Sequence, residues 1–225
     1  MDIDIITCLP DMFTSFFSNS IIKNAQKKNI VNITVHNLRD YASNKHKKTD
    51  DYAYGGLAGL VMTIQPIYDC ITSLKSKKNY DEIIYLCPDG EILTQNIAND
   101  LSCKKNIILL CGHYKGIDER IRENIITREI SIGEYVLSGG EIPACVLTDA
   151  IVRLLPGAIN DACSALEDSF QNDGLIAPPV YSRPENFKNM TVPKILLSGN
   201  KKKIDEWLLK QSQKKTRKYK KINKN

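Results

Sequence analysis

The sequence predicts an α/β fold built on a parallel sheet. Three observations predict it. Short apolar runs alternate along the chain with stretches of helical periodicity. The central runs, residues 82–87 and 106–111, are almost wholly apolar, as strands covered on both faces are. Three runs open into loops punctuated by glycine: Cys87-Pro88-Asp89-Gly90, Cys111-Gly112-His113-Tyr114-Lys115-Gly116, and Ile132-Gly133-Glu134-Tyr135-Val136-Leu137-Ser138-Gly139-Gly140.

The elements follow in order. Residues 2–9 read as a buried strand, and Asp11 to about Gln26 as a helix with apolar Met12, Phe13, Phe16, Phe17, Ile21 and Ile22. Alternating Val31, Ile33 and Val35 make residues 31–38 a strand. A polar, cationic loop fills 39–59. A helix is expected at 61–75, with Pro66 near its first turn, then strands at 82–87 and 106–111 around a helix at 94–103. Residues 141–155 give the clearest helix. Pro143 falls in its first turn, where a missing N–H costs least, and Pro156-Gly157 stops it. Residues 158–177 lose periodicity and read as an interdomain linker. The expected organisation is therefore a cofactor-type α/β domain at 1–157, a linker at 158–177 and a small basic domain at 178–225. Prolines punctuate the last segment until Ile204, Trp207 and Leu208 mark a short amphipathic helix after Ser198-Gly199-Asn200.

Composition narrows the class. With 42% hydrophobic and 25% charged residues in 225, the chain can bury a real core. No apolar run approaches the roughly 20 residues that span a bilayer, and the start, Met1-Asp2-Ile3-Asp4, lacks a signal peptide's basic residues. Seven cysteines without C-x-x-C spacing argue for reduced thiols in a cytoplasmic protein rather than a zinc site or disulfide framework. The charge is uneven. Residues 201–225 hold 11 Lys or Arg and 2 acids, leaving 20 basic and 24 acidic residues elsewhere. Such a tail fits a polyanion partner, usually nucleic acid, or else a solvated, frayed tail.

The three glycine loops suggest one pocket that reads its ligand with backbone groups, because glycine lets backbone approach a ligand closely. Each glycine alone could be a plain turn or helix cap. Three loops at strand ends of one α/β sheet point instead to a ligand. None carries the dinucleotide fingerprint or the phosphate-loop pattern. A nucleoside-like cofactor without a phosphate chain fits better.

Further segments carry a resemblance. Pro88-x-Gly90, CGHYKGIDER at 111–120, SIGEYVLSGGE at 131–141, Pro156-Gly157, EDSF at 167–170, Tyr181-x-Arg183-Pro184, LLSGN at 196–200 and the upstream His46, Asp50, Asp51, Tyr54, Gly55 and Gly56 resemble, in order and spacing, the bacterial tRNA (guanine-N1)-methyltransferases. The resemblance implies a SPOUT-class α/β fold with a trefoil knot at the C-terminal end of the cofactor domain, followed by a small, mostly helical C-terminal domain. It implies a homodimer that binds S-adenosylmethionine in the knot. The methyl group would go to N1 of the guanine at position 37 of tRNA.

The same resemblance assigns roles. Cofactor contacts map to Tyr85, Leu86, Pro88, Gly112, Tyr114, Gly116, Ile132, Gly133, Glu134, Tyr135, Val136, Leu137, Gly139, Gly140 and Pro143. Substrate contacts map to His46, Asp50 and Ser164. Guanine N1 carries a proton at neutral pH, so methyl transfer needs a base, and Asp168 matches the family's. Read alone, Asp168 could be a linker acid or an early helix residue after the capping-box pattern Ser164-x-x-Glu167. Arg153 matches the residue that would stabilise charge on guanine O6; read alone, it could complement a helix dipole. Asp118, in the matched Ile117-Asp118-Glu119-Arg120, could equally be a helix cap.

The chain also departs from the family. Lys115 stands where glutamate is usual, which reverses a charge beside a cationic cofactor: it could pair with the methionine carboxylate or remove a metal-linked acid, and it makes the magnesium dependence the resemblance would suggest doubtful. Asp89 replaces a frequent glutamine, and the run from Gly55 to Leu60 is poorer in glycine than usual. These departures keep open a second expectation, a tRNA-binding relative of the same fold with weakened or lost catalysis.

Overall fold

Five parallel strands form the central sheet of the computed structural model, which describes residues 1–159, 168–171 and 174–223. In chain order the strands are β1 (Asp2–Thr7), β2 (Asn32–Asn37), β3 (Asp50–Tyr52), β4 (Leu60–Met62), β5 (Glu82–Ile92), β6 (Asn106–Cys111) and β7 (Arg128–Ser131). β3 and β4 pair antiparallel as a separate hairpin, and the sheet runs β2-β1-β6-β5-β7. The chain leaves β6 and crosses past β5 to reach β7, which gathers the carboxyl ends of β5, β6 and β7.

The unbroken apolar strands are explained by cover on both faces. Ile3, Ile5, Ile84, Leu86, Ile107 and Leu109 point to one side, where Phe13, Ala25, Leu101, Leu147 and Ile151 pack on them. Ile6, Ile83, Tyr85, Ile108 and Leu110 point to the other, against Ile67, Ile71 and Ile121. Burying each large aliphatic side chain contributes about 1.5–3 kcal/mol. The covering helices are α1 (Thr14–Phe17), α2 (Ser20–Lys27), α3 (Ile64–Lys75), α4 (Gln95–Ser102), α5 (Glu119–Asn124) and α6 (Glu141–Val152).

Several boundaries differ from expectation. The helix expected from Asp11 to Gln26 is broken into a 3-10 turn at Pro10–Phe13, then α1 and α2. Ser18 Oγ and Asn19 Nδ2 both donate to the Ser15 carbonyl, at 3.2 and 2.7 Å, and compete with the helix ladder there. The expected helix at 61–75 starts at Ile64, because Leu60–Met62 pair with β3 and Thr63 is extended. The loop expected at 39–59 contains β3 as well as a 3-10 turn at Leu38–Tyr41. α6 ends at Val152 with Arg153 as its C-cap, and Gly157 turns the chain with φ +83°.

The chain divides into two compact units, Met1–Asn160 and Asp161–Asn225. The second holds a small hairpin, β8 (Asn186–Phe187) with β9 (Met190–Thr191), and α7 (Lys201–Ile222). α7 is 22 residues long rather than short. Its Lys, Gln, Leu and Arg content favours helix, and the Asn200 side chain accepts the Lys203 N–H at its start. Ser212 and Thr216, one turn apart and buried, fasten it: Ser212 Oγ donates to the Ile176 carbonyl at 2.6 Å, and the Ile176 N–H donates to Thr216 Oγ1 at 2.9 Å.

Candidate functional site

Three segments converge on one cleft: a bulge inside β5, which runs on to Ile92 rather than ending at 87 as expected, and the loops at the carboxyl ends of β6 and β7. Leu86 and Glu91 both register against Ile130, so residues 87–90 are pushed out of the β5–β7 ladder and form the first wall. The second loop turns at 112–116: the Gly116 N–H donates to the His113 carbonyl at 3.0 Å, with Tyr114 at φ +59°. The third, residues 132–140, returns to the second. His113 bridges Gly139, and the Gly140 N–H donates to the Gly112 carbonyl at 2.9 Å. These close approaches require glycine. A Cβ on Gly140 would stand 2.7 Å from Cys111 Cα, and one on Gly112 would stand 2.8 Å from the Tyr85 ring. The cleft encloses about 400 Å³, within the range of small-molecule sites.

Buried polar groups hold this frame. Glu141, in the first turn of α6 and 1% exposed, accepts from Thr7 Oγ1 at 2.6 Å and lies 2.8 Å from His113 Nε2. It ties β1, the second loop and α6 together, and its carboxylate suits a helix N-terminus. Arg122, from α5, reaches Glu129 on β7 (2.6 Å) and Asp89 of the first loop (2.8 Å), and stacks 5.5 Å from the Tyr85 ring centroid. The Arg122 hydrogen bond holds the Asp89 carboxyl below the usual range. Burial, with Asp89 adding to it, pushes the Cys87 thiol up to about 12, so it stays a thiol.

Every expected cofactor-contact residue except Glu134 lines the cleft. Glu134 is exposed and stands outside the lining. The Tyr135 N–H donates back to the Gly133 carbonyl at 2.9 Å, and the Tyr135 ring covers Gly133, which leaves Glu134 outside the turn. Sequence reasoning missed Glu119 and Arg122 as lining residues. Their signal was weak: Glu119 read as part of a charged helix start and Arg122 stood out in no motif, and Asp118 does cap α5 by accepting the Arg120 N–H at 3.0 Å.

The remaining expected residues lie as follows. Asp50, on β3, accepts from Tyr114 Oη at 3.3 Å, so β3 touches the second loop. Burial, and then Asp50, raise the Tyr114 pKa. His46 is exposed in the turn before β3. Arg153 caps α6 through its N–H to the Asp149 carbonyl (3.2 Å). Asp168, in the second unit, is half-buried. Ser164 lies outside the described residues. Among the described residues no group of three His, Cys, Asp or Glu side chains could hold a metal ion, and no helix is long and apolar enough to cross a membrane.

Sheet and cleft together define an α/β protein with a small-molecule site built from a strand bulge and from loops at the carboxyl ends of parallel strands. The family model of tRNA (Guanine-1)-methyltransferase TrmD matches residues 1–222, and the chain belongs to that family. It is 58% identical over 207 residues to a tRNA (guanine-N(1)-)-methyltransferase of Cytophaga hutchinsonii, covering 92% of this chain and 88% of the relative. It is 57% identical over 218 residues to one of Bacteroides thetaiotaomicron, covering 97% and 96%. The crystal structure of a tRNA (m1G37) methyltransferase from Aquifex aeolicus superposes with a TM-score of 0.80 at 34% identity, covering 97% of this chain and 92% of that one.

Proposed function

We propose that this chain transfers a methyl group from S-adenosylmethionine to N1 of the guanine at position 37 of tRNA. The observation that carries the reading is the convergence of residues 85–89, 112–116 and 132–140 on one glycine-walled cleft, in a chain that matches the family over residues 1–222. The fit to a nucleoside cofactor rests on that cleft: Gly112 and Gly140 are in its lining, and at both the protein packs too closely to admit a side chain. Backbone groups of the three loops hold the adenosine, with Leu137 and Pro143 against the adenine face. S-adenosylmethionine supplies an activated methyl group at its sulfonium centre. The trefoil knot belongs to this reading. The bridge between His113 and Gly139 and the hydrogen bond from Gly140 to Gly112 support it by binding the third loop to the second.

The chain's own residues do the proton work. Asp168 takes the N1 proton as the new bond forms, which makes the ring nitrogen a competent nucleophile. Arg153 meets the negative charge that builds on O6. Asp168 serves the cleft of a second copy, so the active form is a homodimer. His46 and Asp50, before and on β3, face the guanine. The cations of α7 contact tRNA phosphates: Lys210, Lys214, Arg217, Lys218 and Lys221 are exposed along one face of that helix.

No step is assigned to magnesium. The binding-only alternative is not favoured, since relatives at 57–58% identity carry the name of the active enzyme. The test is transfer of labelled methyl to a tRNA transcript bearing guanine at position 37. Label should enter that transcript and not one bearing adenine there.

A further inference from the structure

The charges that line the cleft are unevenly matched. Arg122 is paired with Asp89 at 2.8 Å and Glu129 at 2.6 Å, with Glu119 at 3.8 Å. His113 is paired with Glu141 at 2.8 Å. Lys115 is the remaining basic residue of the lining, and among the described residues it makes neither an ion pair nor a side-chain hydrogen bond.

Lys115 is nevertheless well placed. Its N–H donates to the Leu60 carbonyl at 3.0 Å, and the carbonyl of the next residue, Gly116, accepts the Met62 N–H at 3.0 Å. Both anchors lie on β4, so the backbone at 115 is fixed from two sides. Its aliphatic stem lies along Gly59, where an added Cβ would stand 3.0 Å from Lys115 Cγ and 3.2 Å from Cε. The absence of a side chain at 59 makes room for that stem. The result is an exposed cation carried on an anchored backbone in the cleft lining, with no acidic partner among the described residues.

We propose that Lys115 binds the carboxylate of the cofactor's amino-acid arm. The inference rests on the cofactor reading above and assigns a ligand contact within it. The carboxylate is the one anionic group of S-adenosylmethionine, and Lys115 is the one cleft cation left for it among the described residues. An ammonium that pairs with a ligand carboxylate gives a charge-assisted hydrogen bond, stronger than a neutral one.

The test uses calorimetric titration of the full chain with two nucleosides. S-adenosylhomocysteine carries the amino-acid arm; 5′-methylthioadenosine lacks it. In Lys115→Ala, affinity for S-adenosylhomocysteine should fall about tenfold, while affinity for methylthioadenosine stays unchanged. Lys115→Arg should keep most of the wild-type affinity, and retained methylthioadenosine binding shows that each variant is folded. Equal weakening of both nucleosides, or no change in either, would overturn the assignment and leave the cofactor reading intact. Weakened tRNA binding with S-adenosylhomocysteine affinity preserved would also overturn it, and would give Lys115 to a phosphate instead. Failure of the wild-type chain to bind either nucleoside would overturn the cofactor reading together with this one.

Discussion

The Gly140 N–H donates to the Gly112 carbonyl across 2.9 Å, so the loop leaving β7 is stitched to the loop leaving β6. Gly140→Ala would force a methyl group to within 2.7 Å of Cys111 Cα. The loops must then part. The expected cost is about 1–3 kcal/mol of stability, with a loss of cofactor affinity larger than that of any exposed-loop substitution. Urea unfolding and calorimetric titration with S-adenosylhomocysteine check the two parts separately.

Arg153→Ala should lower the methylation rate far more than cofactor affinity, because the guanidinium is assigned to charge that develops only in the transition state. The readout is single-turnover methyl transfer beside titration with S-adenosylhomocysteine. An equal fall in both would remove Arg153 from the chemistry and return it to capping α6.

The basic face of α7 makes tRNA affinity salt-dependent. Replacing Lys214, Arg217 and Lys218 together with Gln should weaken tRNA binding. It should also flatten the dependence on log salt by about 0.7–0.9 for each phosphate that is no longer neutralised. Cofactor affinity should not move. Filter binding over a salt series measures the slope.

Asp4 predicts a pH dependence of stability unrelated to catalysis. Burial alone would raise its pKa, but hydrogen bonds from His36, Lys78 and Tyr80 outweigh burial and bring it from 3.8 to about 2. The folded-state value lies below the unfolded one. The stabilisation is therefore complete above about pH 5 and disappears as the pH falls through about 2. It amounts to roughly 2 kcal/mol. Urea unfolding of the wild type should show this extra loss between about pH 5 and pH 2, and Asp4→Asn should lack it.

The sheet was legible because its signal is local. Runs such as residues 106–111 are apolar at every position only when both faces are covered, and β6 is covered on both. The cleft loops were legible from glycine placement, and Gly112 and Gly140 prove to be sites of close backbone approach. The break at Ser18-Asn19 was hidden, since polar side chains that cap a carbonyl look like any exposed helix face. The hairpin of β3 and β4 was hidden for another reason: pairs such as Asp50 with Met62 carry no alternating pattern. The length of α7 escaped because its buried residues past Leu209 include Ser212 and Thr216, which are small and polar. Arg122 was illegible as a site residue, because its partners Asp89 and Glu129 meet it only through the fold.

Single-turnover methyl transfer by Asp168→Ala, on a tRNA transcript with guanine at position 37 and saturating S-adenosylmethionine, tests the proposed chemistry most directly. Loss of the base should slow the step by about 10²-fold or more while S-adenosylhomocysteine binding is retained. A rate equal to that of the wild type would contradict the account.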